Sequence, residues 1–439
     1  MASISQERLL SRSNLWIALM AAVTLGGFTA IVVGFVIGHH ATFNTSTGVP
    51  WGILISTYLF FVLPASGLCL LSSLGHIFGI DRFKPIGHRA ILIAITLMLS
   101  GFLVIASDLE SPWRMAMYLF VTPNPTSPMW WMGCLYAVYL ILLILEFIFL
   151  CRAEAIRRLQ ASPGSTKLLY RILAIWSNPD MEYFLQHSKK VAKISGTAAV
   201  FFAIAALSML GAVFGFTSSR TIWHGPFLPV YFILSASVAG SSILTLFLVL
   251  KHRSKGQEPA PEIAGVTQTL SKLILLLIGI YLVFTVWNIL AAQYGLIPES
   301  YNSVKVLVNG PLAVSFWAGE IIIGLIIPIA ILAYTRGKRT WGLIVAPLLI
   351  FVGTFFARYN LVIAGQLSPI VGQDELWHYF PHIIEILTVV AAVGMWLLLY
   401  SLGSRLLPLE DNAPVSGQEE GANPPLVPTE TATDAPEIG

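Results

Sequence analysis

The residues able to move protons sit at the edges of long apolar stretches. Asp108, Glu110 and Arg114, with Trp113 beside them, follow directly on one such stretch, and two adjacent histidines, His39 and His40, close an earlier one. A carboxylate and an imidazole at such an edge can take up or deliver a proton, because modest changes of environment bring their titration near neutral pH. Asp108 and His40 are therefore the candidate catalytic residues, and His39, His40, Asp108, Trp113 and Arg114 the candidate binding set. Between Gly48 and Trp131, two apolar runs place a basic turn (Arg82, Lys84, Arg89) on one side and an acidic, aromatic, Pro-rich segment on the other. That suits a ligand with an apolar tail in lipid and a polar head at the surface, which is the physical description of a quinone. The plainer alternative is an aromatic belt with a solvated ion pair.

Further charges lie within or at the ends of other apolar runs: Glu146, Glu320, Arg358 and Glu385. A charge at membrane depth is costly unless paired or hydrated, so these four form a candidate proton path. Glu146 is close enough in sequence to Arg152 to fit a snorkelling ion pair equally well. Arg358, expected to end its helix on the outer side, reads as the natural partner of Glu385, which leaves Glu320 deeper and alone. His378, His382 and Glu385 have the spacing i, i+4 and i+7 of one helical face.

The elements that must position these groups are membrane helices. With 56% hydrophobic and 11% charged residues, the chain lacks the polar surface a water-soluble globule needs. Apolar runs at about 15–37, 51–78, 90–106, 130–150, 196–216, 229–250, 273–292, 311–334, 341–356 and 381–401 predict an all-α polytopic protein of about ten transmembrane helices. Placing the N-terminus inside puts 21 Lys and Arg in cytoplasmic segments and four, Arg114, Arg220, Lys305 and Arg358, on the opposite side. Both termini are thus expected in the cytoplasm, with the N-terminal run retained as a helix rather than cleaved. Residues 151–193 read as a membrane-surface connector with a helix around Glu154–Gln160, a break at Ser162 and anchors Tyr170, Trp176, Tyr183 and Phe184. The sixth run resembles the second in its opening proline, aromatic pair and small-residue seam. This predicts a parallel repeat of two four-helix bundles, about 51–217 and 225–357, flanked by helices at 15–38 and 380–403. From residue 408 to 439 the chain holds seven acidic and no basic residues and is Pro-rich, as expected of a disordered cytoplasmic tail.

Cys69, Cys134 and Cys151 have no CxxC spacing, and no phosphate loop, dinucleotide fingerprint or metal motif occurs, so no metal is expected. No haem is expected either, since the histidines gather at span edges rather than at matched depths. The small positive charge reflects topology, with no nucleic-acid partner implied.

Several motifs together resemble the NrfD/PsrC family of integral membrane subunits found in respiratory complexes such as polysulfide reductase. They are Val49-Pro-Trp-Gly52, Ser66-Gly67 with Ser72-Ser73, Arg82-Phe-Lys-Pro85 with Arg89, Asp108-Leu109 with Pro112 and Arg114, and Asn124-Pro-Thr-Ser-Pro-Met129. Phe316-Trp317 with Glu320, Arg358 and Glu385 is similar to the longer branch that includes the membrane subunits of hydrogenase-2 and the Dsr-type complex. The resemblance spans about residues 15–407. It implies menaquinone or ubiquinone bound near the outer end of the first bundle, with His39 or His40, Asp108 and Arg114 around its head group. It also implies a ferredoxin-like iron-sulfur subunit docked on that periplasmic face and a catalytic subunit beyond it, a molybdopterin enzyme, hydrogenase or similar. The expected role is a quinone-reactive or non-catalytic subunit of an oxidoreductase complex in the inner membrane. The competing readings are a proton or ion translocator without quinone chemistry, and an inert anchor.

Overall fold

The computed structural model describes residues 2–161, 164–173, 181–254, 261–295, 297–368, 376–407 and 409. Among these residues the regular structure is helical, and ten helices are long and apolar enough to cross a membrane. The chain is thus an all-α, multi-pass integral membrane protein. The acidic segment 408–439, apart from Leu409, lies outside the described residues, as do the expected break at Ser162 and the anchor Trp176.

In chain order the elements are α1 (Ala2–Ile37), the short α2 (His39–Thr42), α3 (Ile53–His76), a 3₁₀ turn (Asp81–Ile86), α4 (Gly87–Asp108), α5 (Pro112–Phe120), α6 (Pro128–Ala161), α7 (Gly164–Leu173) and α8 (Met181–Gly215). They continue with α9 (Phe227–Ser254), α10 (Pro261–Tyr294), α11 (Pro298–Val308), a π-helical stretch (Ser315–Ile326) leading into α12 (Ile327–Thr335), α13 (Thr340–Leu367) and α14 (Ile383–Leu406). The span helices turn large apolar side chains such as Leu25, Val36, Phe201, Leu276 and Trp287 outward, where lipid receives them. Their buried Ser and Thr hydroxyls mostly donate back to carbonyls of their own helix three or four residues earlier, as Ser66, Thr96 and Ser242 do, while Tyr139, Arg358 and Asn360 bond across to other helices.

α3 packs on α4 and α8, and α6 on α4 and α8; α9 packs on α10 and α13, and α13 on the π-helical stretch and α12. α3 crosses α9 along the small-residue seams noted in the sequence. A Cβ on Gly67 would overlap the Ala236 carbonyl, and one on Gly240 would stand 2.7 Å from the Gly67 backbone. Close approach of two backbones is the reason for glycine at both positions. α14 pairs with α1 and also packs on α3 and α4.

Three boundaries depart from the sequence reading. The expected surface helix at Glu154–Gln160 is the continuation of α6, which runs on to Ala161. α13 does not stop at Arg358 but continues to Leu367, because Arg358 and Asn360 find partners inside the protein and need no interface. α14 begins only at Ile383, so His378 lies in the preceding extended segment and shares no helical face with Glu385.

Candidate functional site

The start of α14 and the strap 43–53 enclose the best-connected carboxylate among the described residues. His382 is the N-cap of α14, and its Nδ1 accepts from the Ile384 N–H at 3.2 Å. Glu385 reaches back so that its Oε2 accepts from the His382 N–H at 2.8 Å, a reciprocal cap that fixes the carboxylate at the helix entrance. The same oxygen accepts from the Asn44 N–H at 3.2 Å, and Oε1 accepts from the Tyr379 hydroxyl at 2.7 Å. Tyr379 in turn accepts from the Ile53 N–H at 2.7 Å, tying this segment to the start of α3. Glu385 is fully buried. Gly52 makes the approach possible, since a Cβ there would stand 2.5 Å from the Tyr379 hydroxyl and 2.7 Å from Glu385 Oε1.

Asp108, the last residue of α4, is half-buried close enough to Glu385 for the two charges to interact. No side chain among the described residues hydrogen-bonds it, whereas both oxygens of Glu385 accept hydrogen bonds. His39 is also buried, stacked on Phe43 with centroids 4.3 Å apart and tilted against Phe35. Burial lowers its pKa from 6.5, with Glu110 opposing and His40 reinforcing the shift. His40 is fully exposed, and its Nε2 lies 3.6 Å from Glu110 Oε1, a pair that is ionic only when the imidazole is protonated.

A second set of bonds holds the strap. Gln366, near the end of α13, accepts from the Trp51 N–H at 2.9 Å and donates to the Trp51 carbonyl at 2.8 Å. Arg220 donates to the carbonyls of Gln366, Ser368 and Gly48 at 3.1, 2.9 and 3.1 Å. The Trp51 ring stacks on Trp223 at 5.5 Å, and Gly48 packs flat against Trp377 with no room for a side chain.

The structure therefore regroups the residues singled out in the sequence. It brings Asp108, Glu385 and His39 to one end of the molecule, with His40 at its rim. Trp113 and Arg114 face outward from α5, none of whose residues is buried, and no described contact takes them to Asp108. The expected Arg358–Glu385 pair does not form. Arg358 donates to Ser235 Oγ at 2.6 Å and lies 5.5 Å over the Phe232 ring, while Glu385 is served by Tyr379 and two backbone amides. Nor is Glu320 alone, since its Oε2 accepts from Asn360 at 2.8 Å. Glu146 belongs to a third place, between α6 and α8, where a Cβ on Gly196 would come within 2.6 Å of it; its Oε2 has no hydrogen-bond partner among the described residues. The proposed single proton path is thus three separate clusters. Asn44, Gln366 and Arg220 escaped the sequence reading because their partners are 341, 315 and 146 positions away, and Tyr379, six positions before Glu385, escaped because it lies ahead of α14, where no helical spacing links the two. Gly52 alone was legible, as part of the Val49–Gly52 motif. Among the described residues no group of three metal-ligating side chains occurs.

Comparison with known proteins agrees along the chain. A family model described as "Polysulphide reductase, NrfD" matches residues 41–370. A selenate reductase subunit of Mesobacillus selenatarsenatis is 27% identical over 94% of this chain and 98% of its own length. The Hdr-like menaquinol oxidoreductase integral membrane subunit of Archaeoglobus fulgidus is 24% identical over 90% and 92%. A putative dimethyl sulfoxide reductase membrane subunit of Halobacterium salinarum is 25% identical over 83% and 84%.

Proposed function

The chain belongs to the polysulphide reductase NrfD family, and we propose that it is the quinone-interacting membrane subunit of a respiratory oxidoreductase complex. The relative named for menaquinol oxidation supports the substrate class, and those named as reductase subunits support membership of a larger complex. In this reading the quinone is menaquinone or ubiquinone, the termini are cytoplasmic, and the membrane is the inner membrane. Electrons pass to or from a ferredoxin-like iron-sulfur subunit on the periplasmic side, with a catalytic subunit beyond it.

The observation that carries the proposal is Asp108 standing beside the fully bonded Glu385. Interconverting a quinone and its quinol moves two electrons and two protons, so the protein must supply proton acceptors at the head group while the partner takes the electrons. Asp108 is the group placed to exchange a proton. Glu385 is held by Tyr379, Asn44 and His382 and serves to position, and His39 stays a neutral imidazole able to accept one proton. His40, exposed and paired with Glu110, is the relay to water rather than the catalytic group. Glu146 and Glu320 lie apart from this site, and any proton movement through them is a separate event.

The test is to purify the complex in nanodiscs, extract and quantify bound quinone, identify the co-purifying subunits, and assay Asp108→Asn. Stoichiometric quinone with an iron-sulfur partner, and loss of quinol turnover in an assembled variant, are expected. Unaltered turnover in Asp108→Asn overturns the role of that residue, and isolation of the protein without quinone or redox partner overturns the reading.

A further inference from the structure

The second half of the repeat contains a buried polar cluster that the quinone reading leaves unused. It is contributed by four elements packed on one another: α9, α10, the π-helical stretch and α13. Glu320 accepts from Asn360, whose Oδ1 accepts from Ser315. Arg358 is 1% exposed and donates through Nη2 to Ser235, while its Nη1 is buried without a hydrogen-bond partner among the described residues. Tyr231 and Tyr281 are joined hydroxyl to hydroxyl nearby. Arg358 and Glu320 are near enough to interact electrostatically, yet among the described residues no ion pair within 4.0 Å joins them.

Beside Glu320 is a small void of about 10 Å³, lined by the polar Ser235, Tyr281, Glu320 and Thr354 and otherwise by apolar residues such as Val238 and Ile350, with Arg358 outside its wall. That is the room one water needs, and far less than a quinone head group would fill. Ser235, Tyr281, Glu320 and Thr354 on the wall of this void supply the two to four polar partners that make an internal water stable, and Ser235 also accepts from the Arg358 guanidinium behind it. The π-helical stretch fits the same account, since widened turns of this kind gather at functional positions in helices.

We propose that Glu320 and Arg358 form a water-linked proton-binding site in the second bundle, in which the Glu320 carboxylate takes up a proton from the enclosed water and releases it, and Arg358 is the fixed counter-charge. The groups facing Glu320 are Arg358 from α13, Tyr231 from α9 and Tyr281 from α10. α11 offers only the exposed Glu299, Tyr301 and Lys305, and α12 only the exposed Tyr334. The site depends on no part of the quinone assignment.

The test is infrared spectroscopy of the whole purified complex across pH, with hydrogen–deuterium exchange, alongside a cryo-EM map resolving internal waters. The wild type is expected to show the carbonyl stretch of a buried protonated carboxyl that titrates, is lost in Glu320→Gln and is retained in Asp108→Asn. The map is expected to hold one ordered water in the void against Glu320 and Ser235, the hydroxyl that accepts from Arg358. A spectrum that Glu320→Gln leaves unchanged, or a map with Arg358 bonded directly to Glu320 and no water, overturns the proposal. If Glu320→Gln does not assemble, Ser235→Ala frees Arg358 and is expected to move the titration midpoint by about one pH unit; an unmoved midpoint counts against the site. None of these readouts uses quinol turnover, so failure here is distinct from failure of the redox reading.

Discussion

The Tyr379 hydroxyl donates to Glu385 Oε1 at 2.7 Å and accepts from the Ile53 N–H at 2.7 Å, so one side chain joins the extended segment before α14 to the first turn of α3. Burial, followed by the adjacent Glu385 charge, pushes the Tyr379 pKa up, so the hydroxyl keeps its proton and keeps donating.

Replacing Tyr379 with Phe removes that donor and leaves the buried Ile53 amide without its acceptor. The expected cost is about 1–3 kcal/mol, read as a lower unfolding temperature of the purified protein. Because the His382 and Asn44 amides still hold Glu385, turnover should fall several-fold rather than vanish. Wild-type stability would show that the bond does not anchor the site.

Arg220→Ala removes three hydrogen bonds to the carbonyls of Gly48, Gln366 and Ser368. A loss of about 2 kcal/mol or more is expected, with faster proteolysis within residues 43–52. Lysine should rescue only in part, because three acceptors in different directions suit the guanidinium fork and not a single ammonium. Equal protease resistance in wild type and variant would refute the clamp.

Gly67→Ala should push α3 away from α9, since the new methyl overlaps the Ala236 carbonyl. About 1–3 kcal/mol of destabilisation is expected, with less protein recovered in the membrane. Gly26→Ala is the control: nothing lies within 4 Å of a Cβ there, and stability should be unchanged or slightly raised. Equal behaviour of the two variants would contradict the crossing.

Stability should also depend on pH through His39, whose pKa in the folded protein is below the ordinary 6.5. Above about 6.5 the imidazole is neutral in both states and nothing is lost. Below it the unfolded chain binds a proton that the folded one resists, so stability falls as pH drops toward the folded value and then levels off. His39→Gln should flatten this part of the stability–pH curve, measured by thermal unfolding between about pH 5 and 7.5. An identical slope in the variant would exclude His39 as its source.

The sequence by itself determined the fold class, the ten spans and the positions of the costly groups, because lipid demands uninterrupted apolar runs and makes each buried charge conspicuous. The glycine seams of the second and sixth runs were legible too, as Gly67 and Gly240 meet at the helix crossing. Partnership was decided only by the tertiary structure. Arg358 and Glu385 look complementary in the sequence, but Arg358 lies inside α13 beside Ser235 and Glu320, and Glu385 spends its bonds on Tyr379 and the strap. Likewise the two histidines, identical in type and adjacent in sequence, are separated by folding into one stacked and buried and one in solvent. Hydropathy records how deep a residue lies, whereas pairing depends on helix rotation and register, which in a lipid-facing helix leave little periodic trace because apolar residues cover both its inner and its outer faces.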